Sequence, residues 1–252
     1  MTTPATPIPP TLRAVLAPGL LALRRYWKPF VLIQSVALAL VGAYFLFPAV
    51  REWCQVLSAW QKSGGLVAAA IAAAVAGGVL PEIAKLLTKP ERKAPATRVH
   101  DIAFNCLFFG FSGVVVYYFY AYQAVLFGDD AKVSTVVKKV IVDQFGFSIV
   151  WATPYALFMF ALKGASYSVG GALRELSPAK LVYRVPSMLL PIWAFWIPMV
   201  TMIYALPAAL QFALFSLALA AWSLLVTVIA GPGREGESTP RPGRAVTARG
   251  SP

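Results

Sequence analysis

The chain has 252 residues, 59% of them hydrophobic and 13% charged, with a mean hydropathy of +0.69. Soluble domains hold about 45–50% apolar and about 25% charged residues, so this composition excludes an ordinary water-soluble globule. The formal charge of +12 would suit a nucleic-acid binder, but Lys and Arg gathered on the cytoplasmic loops of a membrane protein give the same total. Nucleic acid is therefore not the expected partner; membrane lipid is.

In chain order, 1–29 reads as a Pro- and Thr-rich segment, disordered to about Thr11 and then basic and interfacial. Arg13, Arg24, Arg25 and Lys28, with Tyr26 and Trp27 among them, mark a membrane–water boundary. No cleavable signal peptide is apparent. Phe30 to Val50 is the first span, close to the roughly 20 residues a crossing helix needs. Arg51 to Lys62 is a short amphipathic link. Gly65 to Leu80 is a second span built largely of Ala and Gly, with Gly64, Ala68, Ala72 and Ala76 at i+4 spacing. Small residues so spaced let helices approach closely in lipid; the alternative is a helix lining a narrow aqueous path.

Pro81 to His100 reads as a short helix end and a Pro-broken basic loop. The third span, Ile102 to Phe127, carries Gly110 and Gly113 as packing candidates and a Tyr cluster expected at the far interface; Asp101 is expected to cap it. Gly128-Asp129-Asp130 is a turn. The fourth span, from about Val136 to Leu162, holds Asp143, Gln144 and Pro154. A basic amphipathic stretch to Arg184 follows, expected to lie partly along the membrane surface. Ser187 to Leu206 and Ala208 to Ala230 complete six spans, and 231–252 reads as a disordered tail.

The basic residues alternate with these segments. Seventeen of the 22 Lys and Arg fall on one set of loops and only Arg51, Lys62, Lys132, Lys138 and Lys139 on the other. The expected fold is thus all-α: a polytopic transmembrane helical bundle of about six spans, with both termini on the cytoplasmic side.

No catalytic constellation is present. His100 is the single histidine, Cys54 and Cys106 have no metal or redox spacing, and no acidic pair shares a span. The expectation is a non-enzyme without cofactor or metal. What stands out is Lys139, Asp143 and Gln144. An ionised Asp at the centre of a bilayer costs at least a few kcal/mol and needs a partner or water. On an α-helix Lys139 lies one turn from Asp143, so the three residues either line a passage, with Lys139 as the ion partner, or tie neighbouring helices together.

Lys139 with Asp143-Gln144 reproduces a K-x-x-x-D-Q at the head of a span. Gly110-Phe111-Ser112-Gly113 gives a G-x-x-G, followed by Phe119-Tyr120; Gly77-Gly78 through Glu82 gives a glycine-acid element; Trp196, Pro207 and Trp222 keep a W…P…W order. On these motifs residues 53–230 resemble the Mpv-seventeen / peroxisomal twenty-two-kilodalton membrane protein family, with 30–50 as an added N-terminal helix. The chain departs from that pattern at Val114, Tyr117, Gln211 and Ser223, where Pro, His, Arg and Asn are usual, and in lacking a Pro soon after Asp143-Gln144. The resemblance implies a four- to five-span helical membrane domain with a channel-like role in passage of ions or small metabolites; a non-conducting organiser binding lipid or other membrane proteins is the alternative. It points to mitochondrial inner or peroxisomal membranes, whereas the Ala-, Arg- and Pro-rich composition favours a bacterial plasma membrane. The small-residue ridges would also serve a homo-oligomer.

Overall fold

The computed structural model describes residues 12–88 and 95–229. The N-terminus to Thr11, the loop around Pro90 and the tail 231–252, all expected to lack regular structure, lie outside the described residues. Among the described residues every element is helical: α1 (Leu12–Leu46), α2 (Pro48–Ala74), α3 (Leu80–Thr88), α4 (Pro95–Phe127), α5 (Val133–Ile141), α6 (Thr153–Gly164), α7 (Val169–Glu175), α8 (Pro178–Tyr204) and α9 (Ala208–Ile229). Two wide π-helical stretches splice them, Val75–Val79 between α2 and α3 and Val142–Ala152 between α5 and α6.

The molecule is a helical bundle and, by length and apolar composition, a multi-pass membrane protein. Five helical stretches are long and apolar enough to cross a membrane: Val15–Leu46, Ser63–Leu87, Arg98–Phe127, Val133–Gly164 and Arg184–Tyr204. The sixth expected span, Ala208 to Ala230, coincides with the 22-residue helix α9, Ala208–Ile229, apolar over Leu210–Leu225. Large apolar side chains such as Leu107, Val125 and Val150 point outward and are more than 70% exposed, whereas the interior holds Phe195, Met199, Ile203 and Ala73. That inverted surface fits a solvent of acyl chains.

Several boundaries differ from the sequence expectation. Helix α1 begins at Leu12, well before Phe30, and bends at Tyr26, whose φ of −114° and ψ of 15° leave the helical range. Pro29 explains the bend, since it has no N–H for the Arg25 carbonyl. The expected link after Arg51 is helical and belongs to α2, which breaks only at Gly65 (φ 51°), a conformation that glycine alone adopts cheaply. Asp101 is not a cap: α4 starts at Pro95, and Asp101 sits within it, paired with Lys163 Nζ at 3.1 Å.

Helices α2 and α4 run antiparallel and close together. Side chains at Gly113 and Gly77 would overlap Ala73 and the Phe109 ring, and one at Gly78 would lie 2.8 Å from Cys106 N. Helices α1 and α8 are extensively packed and run parallel, Gly19 against Ser187 and Leu190, Gln34 against Ala194 and Phe195. Proline positions explain where the helices are tied together. Around the first π-helical stretch the Leu80 N–H reaches back five residues to Val75 O. The next donor in that register would be Pro81, which has none. Ser223 Oγ of α9 supplies a proton for the stranded Ala76 O at 3.0 Å, sharing it with Ala220 O at 2.9 Å. Likewise Pro198 cannot bond Ala194 O, and Gln34 Nε2 donates there at 2.8 Å. Prolines are tolerated in membrane helices when neighbouring helices satisfy the freed carbonyls in this way.

Candidate functional site

Asp143 is the second residue of the π-helical stretch Val142–Ala152, and it is turned into the bundle toward the last residue of α8 and the end of α4. Tyr204 OH donates to Asp143 Oδ2. Gln144 Nε2 donates to Asp143 Oδ1 at 2.9 Å, and Gln123 Nε2 of α4 donates to Tyr204 OH at 2.7 Å. Every donor in this chain of bonds points toward Asp143, the polarity that a carboxylate, an acceptor only, requires. Gln123, Gln144 and Tyr204 are no more than 1% exposed, and Asp143 is 6% exposed.

The surround is aromatic. Tyr120 meets Tyr204 edge-on with ring centroids 5.3 Å apart, and Phe119 stacks on Phe147 at 4.2 Å. Trp193 Nε1 of α8 donates to the Gln144 carbonyl at 3.0 Å. Helix α8 therefore grips both Asp143 and Gln144. Among the described residues, three buried side-chain oxygen atoms have no protein partner: Gln123 Oε1, Gln144 Oε1 and Thr153 Oγ1. The two glutamines cannot cure this by turning their amides, because the Tyr204 hydroxyl and the Asp143 carboxylate both demand a donor from them.

Lys139 is also inside, 1% exposed, but the ion pair expected with Asp143 is not formed. Both side chains turn to the same residue, Tyr204. Lys139 Nζ instead lies 5.7 Å from the centroid of the Tyr204 ring, a cation–π arrangement. One tyrosine thus meets the ammonium through its face and the carboxylate through its hydroxyl.

The expected packing residues divide. Gly113 is buried, with a close approach to Ala73 and Ala69; Gly110 faces Ala70 and Ala74 of α2, with room for a Cβ at ordinary contact distance. Ala68 and Ala76 are buried, Ala72 is half-buried and Gly64 is exposed. The fully enclosed ridge is Ala69 and Ala73, one position along, where α2 meets Gly113 of α4; the break at Gly65 separates Gly64 from it. That ridge faces α4 within the same chain, so it is not a free face for a second copy.

Sequence reasoning placed Lys139, Asp143 and Gln144 together and missed Gln123, Tyr204 and Gln34. Gln123 had a signal, one of two amides, with Asn105, inside the apolar third span, obscured by the Tyr cluster beside it. Within that cluster Tyr118 and Tyr122 are exposed while Tyr120 is buried. At the opposite ends of α4 and α6, Lys163 joins Asp101 and approaches Asn105 Oδ1 at 3.5 Å, and His100 meets Tyr167 edge-on at 4.5 Å. No family model, curated protein or solved structure matches the chain.

Proposed function

We propose that this membrane protein has a channel-like role in the passage of ions or small metabolites, and that Lys139, Asp143 and Gln144, with Gln123 and Tyr204, line the passage in its closed state. The observation that carries this reading is the enclosure of a carboxylate, an ammonium, two amides and a phenol between apolar helices, with the two charges unpaired to each other. Packing alone does not call for such a set, and ionisable residues inside membrane helices mark solute pathways by default. The π-helical register at Asp143 agrees, since wide turns recur at functional sites. The resemblance to the Mpv-seventeen / peroxisomal twenty-two-kilodalton family supports the same role, as its most specific motif is Lys139 with Asp143-Gln144. The distribution of basic residues supports cytoplasmic termini, and the composition a bacterial plasma membrane.

One observation favours a non-conducting organiser instead: both Asp143 oxygens already have side-chain partners. Purified protein in planar bilayers separates the two. The passage reading expects currents whose ion selectivity changes in Asp143→Asn. Folded protein that passes neither ions nor small metabolites, and whose Asp143→Asn variant is merely less stable, would leave the organiser.

A further inference from the structure

Helix α8 holds the Asp143–Gln144 pair from both sides of Pro198: Trp193 donates to the Gln144 carbonyl and Tyr204 to the Asp143 carboxylate. Between those anchors the helix is weak. Pro198 supplies no N–H to Ala194 O. Thr201 Oγ1 bonds Ile197 O at 2.7 Å, a back-bond of the kind that bends helices. In an apolar surround no water is at hand for the stranded carbonyl, and a neighbouring helix must serve it. Gln34 of α1 does so, its Nε2 lying 2.8 Å from Ala194 O and 3.4 Å from Phe195 O. Phe30, one turn earlier on α1, meets the Phe195 ring edge-on at 5.9 Å.

We propose that Gln34 is a positioning residue: it stiffens a hinge at Pro198 and thereby keeps Tyr204 latched on Asp143. The N-terminal helix is then a brake on the polar cluster rather than an inert addition to the bundle. With the brake on, the segment beyond the hinge is closed, and Met199, Val200, Ile203 and Tyr204 are no more than 2% exposed. Without the Gln34 donor the part of α8 after Pro198 swings while the Trp193 anchor stays. The inference concerns the coupling of α1 to α8 and holds whether or not the protein conducts.

The test is a double-mutant cycle on the full chain in lipid nanodiscs, read by amide hydrogen exchange. Gln34→Leu keeps the side-chain bulk and removes the donor. Pro198→Ala restores a backbone N–H that bonds Ala194 O directly. In the native background Gln34→Leu is expected to speed exchange at 199–206 by about threefold to twentyfold, the range for losing one interhelical hydrogen bond in a membrane. Exchange at 187–193, before the hinge, stays unchanged, which a general loss of stability would not allow. In the Pro198→Ala background the same substitution changes exchange by less than about twofold, because the two sites are coupled through one carbonyl. Equal acceleration in both backgrounds, acceleration on both sides of the hinge, or none at all overturns the proposal. Should Gln34→Leu fail to fold, the double variant must recover folding; its failure alongside a folded Pro198→Ala protein overturns the proposal as well.

Discussion

Replacing Tyr204 by Phe keeps the ring and removes one hydroxyl. That hydroxyl donates to Asp143 Oδ2 and accepts from Gln123 Nε2 at 2.7 Å, so two interhelical bonds vanish together. Such bonds contribute about 0.6 kcal/mol on average and up to about 1.7 kcal/mol in membrane proteins. The expected loss for Tyr204→Phe is therefore about 1–3 kcal/mol. Asp143→Asn is milder. Its amide oxygen still accepts from Tyr204, and its NH2 group opposes the Gln144 NH2 group only until Gln144 turns its amide and offers Oε1, an atom without a partner in the native protein. The expected cost is about 1 kcal/mol or less. Unfolding in mixed micelles by titration with a denaturing detergent measures both variants. An Asp143→Asn loss larger than that of Tyr204→Phe, or a Tyr204→Phe loss under about 0.5 kcal/mol, would refute the donor chain drawn above.

Gly113→Val forces a branched side chain into Ala73 and should cost about 1–3 kcal/mol of overpacking, read by the same titration, whereas Gly42→Ala, whose added methyl meets nothing within 4 Å, should change little. Ser223→Ala strands Ala76 O beside Pro81 and should lower stability by about 1 kcal/mol, with faster amide exchange confined to residues near 75–80; exchange that stays native there contradicts the assignment of Ser223. The Lys163–Asp101 pair is partly exposed, at 31% and 15%, so Lys163→Met should cost no more than about 1 kcal/mol and less still at high salt. At the exposed turn after α4, Lys132 and then Thr135 hold the Asp130 carboxylate below its ordinary 3.8. Its small contribution is thus complete above that value and fades as pH falls through the lowered one; in a carboxyl NMR titration Lys132→Ala should move the Asp130 midpoint upward.

The apolar runs made the helical bundle legible, because lipid leaves a chain few other ways to satisfy its backbone. Asp143, Gln144 and Lys139 were legible for the converse reason, that polar groups are costly there. What the runs concealed is partnership. Tyr204, not Lys139, takes the Asp143 carboxylate, and no periodicity in the sequence announces the π-helical stretch Val142–Ala152 on which Asp143 lies. Tyr204 was hidden differently: a tyrosine at the end of a span reads as an interfacial anchor, and only the packing of α8 against α4 and α5 turns it inward. The partner of a proline-freed carbonyl is hidden too. Pro198 predicts that Ala194 O needs a donor, but Gln34 comes from 160 residues away.

The account rests on the face of the fourth span that carries Asp143 pointing into the bundle. In a background with Cys54 and Cys106 replaced, single Ser148→Cys, Phe145→Cys and Val150→Cys variants can be treated with a thiol reagent dissolved in the lipid. Ser148 is 5% exposed, whereas Phe145 and Val150 are 51% and 78% exposed. The account predicts rapid labelling of the Phe145→Cys and Val150→Cys variants and protection of Ser148→Cys. Labelling of Ser148→Cys from the lipid as fast as of Phe145→Cys would contradict it.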